Sequence, residues 1–300
     1  MNNVEMLTQI LAQMPALLYG GTMALGLVIG SFLNVVILRL PHIMEREWQQ
    51  ECRQLLAHAD DTEATGSDDT AVMTLSRPGS HCPDCGHHIR PWENIPVLSF
   101  LLLRGRCSQC AKPISWRYPT IEALTALLSL IVIWQFGPTL PGACALLLTW
   151  GLIALAVIDA DTQLLPDNIT LPLLWFGLLL SLWNVFVDSQ TAIIGAVSGY
   201  LSLWLIFHLF RLLTGKEGMG HGDFKLLALF GAWIGWQSLP QILLLSTIPG
   251  ALFGIALIVS GRNQRQTPIA FGPFLAIAGW ISLVWGDVIT TTYLRWSGIA

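Results

Sequence analysis

At 300 residues, 53% of them hydrophobic and only 11% charged, with a mean hydropathy of +0.60, the chain lies far from the globular norm of about a quarter charged residues. These values exclude an ordinary water-soluble domain and indicate a polytopic membrane protein. The formal charge of −4 and pI of about 5.9 say little about partners, because the charges are segregated along the chain.

A helix needs roughly 20 apolar residues to cross a hydrocarbon core. Segments long enough, or nearly so, lie at about 16–39, 119–137, 142–158, 168–187, 191–213, 223–237, 239–260 and 271–293. The sixth is short and rich in small residues, which predicts a tilted, wrapped or partly re-entrant helix. The expected fold is therefore an all-α polytopic membrane protein of about eight transmembrane helices. The residues ahead of the first segment lack a basic n-region and a small-residue cleavage site, so that helix is expected to be retained as an anchor.

Lys and Arg gather in cytoplasmic loops. Assigning alternate loops to one side places all of the 15 basic residues there except Arg295. Both termini are then non-cytoplasmic. On the cytoplasmic side, residues 43–76 carry Glu45, Glu47, Glu51, Asp60, Asp61, Glu63, Asp68 and Asp69 against Arg46 and Arg53. The spacing predicts a short helix over Glu45 to Leu56 and a solvated acidic stretch after it, a surface that would attract a basic segment.

The same cytoplasmic insertion, between the first two membrane helices, contains Cys82-Pro83-Asp84-Cys85 and Cys107-Ser108-Gln109-Cys110. Two such pairs 21 residues apart fit a four-thiolate metal site. In a reducing compartment four thiolates suit Zn(2+) better than a hard cation, and a closed four-sulfur shell makes the role structural. The insertion is therefore expected to be a small zinc ribbon. The expected domains are 1–39, the first membrane helix; 40–118, the cytoplasmic ribbon domain; and 119–300, the remaining membrane helices.

Asp159 closes the third segment and Asp223 opens the sixth, both at the cytoplasmic face. Asp223 and Asp167 stand where helix caps commonly occur. Asp159 does not: it follows an apolar run at a helix end, where a negative charge opposes the helix dipole. Two neighbouring carboxylates can divide acid and base roles, one holding a proton while the other activates water. Gly220 and Gly222 leave the chain before Asp223 little constrained, and Pro166 restricts the turn after Asp161. Lys225 would bias a nearby carboxylate or snorkel. His221 invites a catalytic role that two acids make unnecessary, and His208, inside a membrane helix, reads as a hydrogen-bonded packing residue.

The chain resembles the type IV prepilin leader peptidase family. The likeness rests on Gly30 to Val36 with Arg39-Leu40-Pro41, both cysteine pairs, Glu93-Asn94-Ile95-Pro96, Arg104-Gly105-Arg106-Cys107, Arg117-Tyr118-Pro119 with Glu122, the segment from Asp159 to Asp167, and Gly220 to Lys225. The resemblance implies a GxGD-type aspartic peptidase with Asp159 and Asp223 as catalytic pair and Gly220, Gly222, Asp161 and Lys225 supporting the motif. It further implies cleavage of a basic leader from prepilins or type II secretion pseudopilins at the cytoplasmic face of the bacterial inner membrane. The new N-terminus would then be methylated from S-adenosylmethionine. No Gly-rich Rossmann fingerprint marks a methyl-donor site; Glu93, Asn94 and Gly105 in the ribbon domain are the candidates. The expected partners are pilin-like substrates and the lipid bilayer, and no nucleic acid. Two other classes fit parts of the pattern. An ion-coupled transporter would use both aspartates, and a zinc-ribbon scaffold would use only the cysteines.

Overall fold

The structure, a computed structural model, describes residues 14–59, 74–77, 79–216, 218–260 and 270–298. The acids Asp60, Asp61, Glu63, Asp68 and Asp69 of the expected acidic surface lie outside the described residues. The described α-helices are α1 (Pro15–Ala59), α2 (Leu98–Leu102), α3 (Arg117–Phe136), α4 (Leu140–Thr162), α5 (Asp167–Ser181), α6 (Ser189–Thr214), α7 (His221–Ile234), α8 (Leu239–Val259) and α9 (Gly272–Trp296). Among the described residues there are no strands, only two isolated bridges in the cysteine-rich insertion.

Among the described residues six helices are long and apolar enough to cross a membrane. The other two expected spans are shorter: α5 has 15 residues and α7 has 14, against the roughly 20 that a spanning helix needs. The expected first span and the separate helix over Glu45 to Leu56 are one continuous α1 of 45 residues. Pro41 removes one N–H donor without ending that helix, because strong helix formers flank it, Leu38 to Leu40 before and Met44 to Arg46 after.

The chain divides into two compact units, one of Gly20–Leu128 and one of Ser129–Ala300 with the start of the chain up to Tyr19. In the first unit α1 and α3 meet at Gly30, where a Cβ would lie 2.7 Å from the Glu122 Cα. The Asn34 side chain stitches the same contact, donating from Nδ2 to the Gly30 and Tyr118 carbonyls at 3.3 and 3.2 Å.

The second unit is organised around α7. Phe224, Leu226, Leu227, Leu229, Phe230 and Ala232 are fully buried there, because α5, α6, α8 and α9 all pack on this helix. The approach of α6 is backbone to backbone: a Cβ on Gly195 would run into the Gly231 carbonyl, and one on Gly199 into the Leu227 carbonyl. Small residues permit the close dispersion contact that holds helices together in lipid. Trp233 ties α7 to α5 by donating its Nε1–H to the Leu173 carbonyl at 2.8 Å. Thus neighbouring helices cover α7, which ends at Gly235 (φ 81°), and its first turn can carry a charged residue away from lipid.

Candidate active site and metal centre

Asp159 lies in the last turn of α4, which ends at Gln163 in the left-handed conformation (φ 56°) with its N–H bonded to the Asp159 carbonyl. A carboxylate at this end of a helix faces the negative pole of the dipole. The compensation comes from α9. Its first residue, Gly272, donates a backbone N–H to Asp159 Oδ2 at 2.9 Å. This is one of the N–H groups that every helix start leaves unpaired. A Cβ at position 272 would sit 2.6 Å from that oxygen, so the approach requires glycine.

Asp223 is the third residue of α7, and its carboxylate reaches back to the backbone of the N-cap residue Gly220. Asp159 and Asp223 are 5% and 6% exposed, and the charge of Asp159 acts on the Asp223 carboxylate. Their helices are brought to one place by α9, which packs against both α4 and α7.

The glycines of the motif serve close approach rather than unusual backbone angles. Gly220 has φ −79°, and neither Gly220 nor Gly222 adopts a positive φ. A Cβ on Gly222 would meet the Leu165 side chain at 2.7 Å, so Gly222 lets the segment after α4 lie against the start of α7. Lys225 completes that junction with two 2.7 Å hydrogen bonds to Asp167. Asp167 therefore pairs with α7 instead of capping α5, whose N-cap is Pro166. Asp161 is exposed on the final turn of α4. The His221 ring packs between Phe207 and Phe224, and His208 bonds the Trp204 carbonyl.

In the first unit the ligand atoms of Cys82, Cys85, Cys107 and Cys110 all lie within 4.8 Å of one another. The sulfurs of Cys82 and Cys110 are 3.8 Å apart, and those of Cys85 and Cys107 4.0 Å apart. A tetrahedron with zinc–sulfur bonds of about 2.3 Å has edges of about 3.8 Å, so the tetrad fits that ion. Each pair is folded by its own backbone: Cys82 N–H bonds the His87 carbonyl and Cys107 N–H the Lys112 carbonyl, both at 2.9 Å. Backbone N–H groups of Cys110 and Gln109 hold the Cys107 thiol down at about 6. Despite the His87 backbone N–H, desolvation and the partner sulfurs push Cys85 up to about 12. A metal ion is what lets all four ionise together. Lys112 pairs with Asp84 across the two knuckles.

Glu93 also serves this fold. Its carboxylate accepts the Arg90 N–H at 2.9 Å and contacts His87 Nε2 at 3.2 Å. The Arg90 backbone, then Ser108 and His87, hold it down at about 2. Glu93 and Asn94 line a cavity of about 460 Å³ together with Ser31, Asn34, Phe100 and Glu122. Gly105 stands behind that wall, at φ 68° with its Cβ position 3.0 Å from the Phe100 ring.

Residues 24–136 match the family model of the bacterial peptidase A24 N-terminal domain, and residues 146–255 match that of the type IV leader peptidase family. The chain belongs to the type IV leader peptidase family. It is 54% identical to a prepilin leader peptidase/N-methyltransferase of Pseudomonas aeruginosa, over 92% of this chain and 93% of that one. Its identity to the proteins of the same name from Aeromonas hydrophila and Legionella pneumophila is 53% and 45%, over 97% and 96% of this chain and 99% of each relative. No solved structure matches. The type IV leader peptidase match contains both aspartates and the Gly220 to Lys225 motif, and the N-terminal match contains all four cysteines.

Sequence reasoning overlooked Gly272, which lies beyond the residues matched to the leader peptidase family. Its signal is the Gly272-Pro273 pair, a helix start placed directly ahead of an apolar run. Glu122 enters the sequence pattern only as part of a motif; its own signal is an acid inside the apolar helix α3.

Proposed function

We propose that the chain is a membrane aspartic endopeptidase that removes the basic leader of type IV prepilins or type II secretion pseudopilins and then N-methylates the new N-terminus. The carrying observation is the pair of buried carboxylates from α4 and α7, near enough for the charge of Asp159 to act on Asp223. Supporting it, relatives alignable over nearly the whole chain are named prepilin leader peptidase/N-methyltransferase.

In this reading Asp159 and Asp223 share one proton, because two facing carboxylates do not readily both ionise. The ionised member takes a proton from water as it attacks the scissile carbonyl, and the protonated member delivers its proton to the leaving amine. Gly272 N–H and the Gly220 backbone fix the two carboxylates, while Gly222 and the Asp167–Lys225 pair hold the junction around them. The pilin-like helix lies among the membrane helices with its leader in the cytoplasm, where the basic loops place the dyad. The protein sits in the bacterial inner membrane with both termini periplasmic, and residues 40–118 form its cytoplasmic domain. Zn(2+) in the four-cysteine site folds that domain.

S-adenosylmethionine supplies an electrophilic methyl group when bound. The cavity of the first unit is the place that suits it: its volume is in the range of small-ligand sites, and it offers apolar, anionic and cationic groups together. Glu93 and Asn94 line that cavity, and Gly105 supports its Phe100 wall. The test is incubation of the purified protein in detergent with a prepilin and labelled S-adenosylmethionine, comparing wild type with Asp159→Ala and Asp223→Ala. Both variants are expected to leave the leader in place. Full processing by either one ends the aspartic peptidase reading, and absence of label in the wild-type product ends the methyltransferase reading.

A further inference from the structure

We infer that Glu122 receives the α-ammonium group of the cleaved substrate and takes its proton for methyl transfer in the cavity of the first unit. The assignment rests on the N-methyltransferase reading above.

Glu122 is 8% exposed, and it lines the cavity of about 460 Å³. Its Oε2 accepts the Val97 N–H at 2.8 Å, and the Ser31 hydroxyl bonds the same carboxylate. Among the described residues no basic side chain pairs with it. The other acids on the cavity wall are already engaged: Glu93 by Arg90 N–H and His87, and Asp84 by Lys112. Burying a carboxylate without a cation is costly, and a cationic ligand removes that cost. Among the described residues Glu122 is thus the acid of this cavity that no side-chain cation answers, which suits it to a cationic ligand.

The carboxylate is also held in one position. Val97 has φ 58° and ψ −45°, a strained γ-turn closed by the Leu98 N–H on the Pro96 carbonyl at 2.6 Å, which a β-branched residue adopts only under constraint. That conformation presents its N–H to Glu122, and the Gly30 contact presses α1 against the Glu122 backbone. Strain of this kind gathers where the surroundings fix a functional group.

The chemistry requires such a group. A free α-amino group titrates near about 7.7–8.0, so at neutral pH most of it is ammonium, with no lone pair to attack carbon. Glu122 accepts one proton from the ammonium and leaves the neutral amine. The nitrogen lone pair then forms the N–C bond to the methyl group of the sulfonium donor, and the electrons of the breaking S–C bond return to sulfur. The products are an N-methylammonium group and a neutral thioether, and the proton on Glu122 leaves to water.

The decisive variant is Glu122→Gln in the full-length protein in detergent. The amide oxygen still accepts from Val97 N–H and Ser31, so the fold contact survives while the charge is lost. Apart from the cysteines, the ionisable groups around the cavity are Arg39 of α1, His81, Asp84, His87, Glu93 and Lys112 of the ribbon, and Tyr118 of α3. All are untouched by the substitution. Wild type should bind a synthetic peptide with a free mature N-terminus at least tenfold more tightly than its N-acetylated form, and the variant should bind both alike. Methyl transfer at pH 7 should fall at least 100-fold in the variant and recover towards pH 9, as the amine loses its proton unaided. Leader cleavage and zinc content should stay at wild-type levels. A variant that still prefers the free amine, methylates within threefold of wild type at pH 7, or loses cleavage and zinc together with methylation overturns the assignment. If wild type transfers no methyl group, the underlying reading fails, and the peptide-binding comparison still decides the role of Glu122.

Discussion

The ribbon and the aspartate pair are built in opposite ways. Each half of the ribbon is closed locally, by ligands three residues apart and by hydrogen bonds such as Cys82 N–H to the His87 carbonyl and Cys107 N–H to the Lys112 carbonyl. The aspartate pair has no local closure. Asp159 comes from the end of α4, Asp223 from the start of α7, and the N–H that holds Asp159 from the start of α9. A site assembled within two short loops depends on its ion, whereas one assembled by three helix ends depends on packing. The two should fail differently.

The largest effect is expected at the ribbon. Structural zinc contributes roughly 10–16 kcal/mol in small four-ligand domains, so losing one ligand removes most of what folds the loops. Cys82→Ser should abolish stoichiometric zinc and expose residues 79–115 to protease, while the thermal melt of the helices in the second unit stays in place. Acidification should do the same to wild type, because protons compete with the ion for the four thiolates. A Cys82→Ser protein that keeps one zinc per chain and resists protease would break the contrast.

At the aspartate pair the corresponding change is Gly272→Ala. An added Cβ 2.6 Å from Asp159 Oδ2 must displace either the carboxylate or the N–H that serves it. Losing one preorganised donor, or misplacing a reacting group by about 1 Å, costs on the order of 100-fold or more in rate. Leader cleavage should fall by at least that factor with zinc content unchanged. Near-normal turnover would mean that Asp159 does not need this contact.

How much of each region can be read from sequence follows from the same difference. Spacing alone identifies Cys82, Cys85, Cys107 and Cys110, because a knuckle is a local object. Hydropathy identifies the membrane helices and shows that the stretch holding α7 is short, but it makes the stretch holding α5 longer than the 15 residues that are helical. Both aspartates are legible as charges at breaks in apolar runs. Gly272 is not, since its use depends on α9 packing against α4. The glycines of the 220–223 motif suggest turn flexibility, whereas Gly222 serves its contact with Leu165. Hydropathy ends the first span near residue 39, yet α1 runs on through Pro41.

The smallest effect sharpens the comparison from inside the ribbon. The two knuckles repeat one backbone path: Gly86 N–H bonds the Cys82 carbonyl and Ala111 N–H the Cys107 carbonyl, both at 3.0 Å. The residue at this step has a left-handed backbone in each, φ 69° at Gly86 and φ 57° at Ala111. Glycine takes that conformation freely, while alanine is disfavoured there by about 1 kcal/mol. Ala111→Gly should therefore stabilise the second knuckle by up to that amount, offset in part by the greater freedom of glycine in the unfolded chain. Gly86→Ala should destabilise the first by a similar amount. Zinc release to a chelator reads both: slower than wild type by a few-fold for Ala111→Gly and faster for Gly86→Ala. Equal rates for all three would show that the loops do not limit release and that the ion alone sets the ribbon's stability.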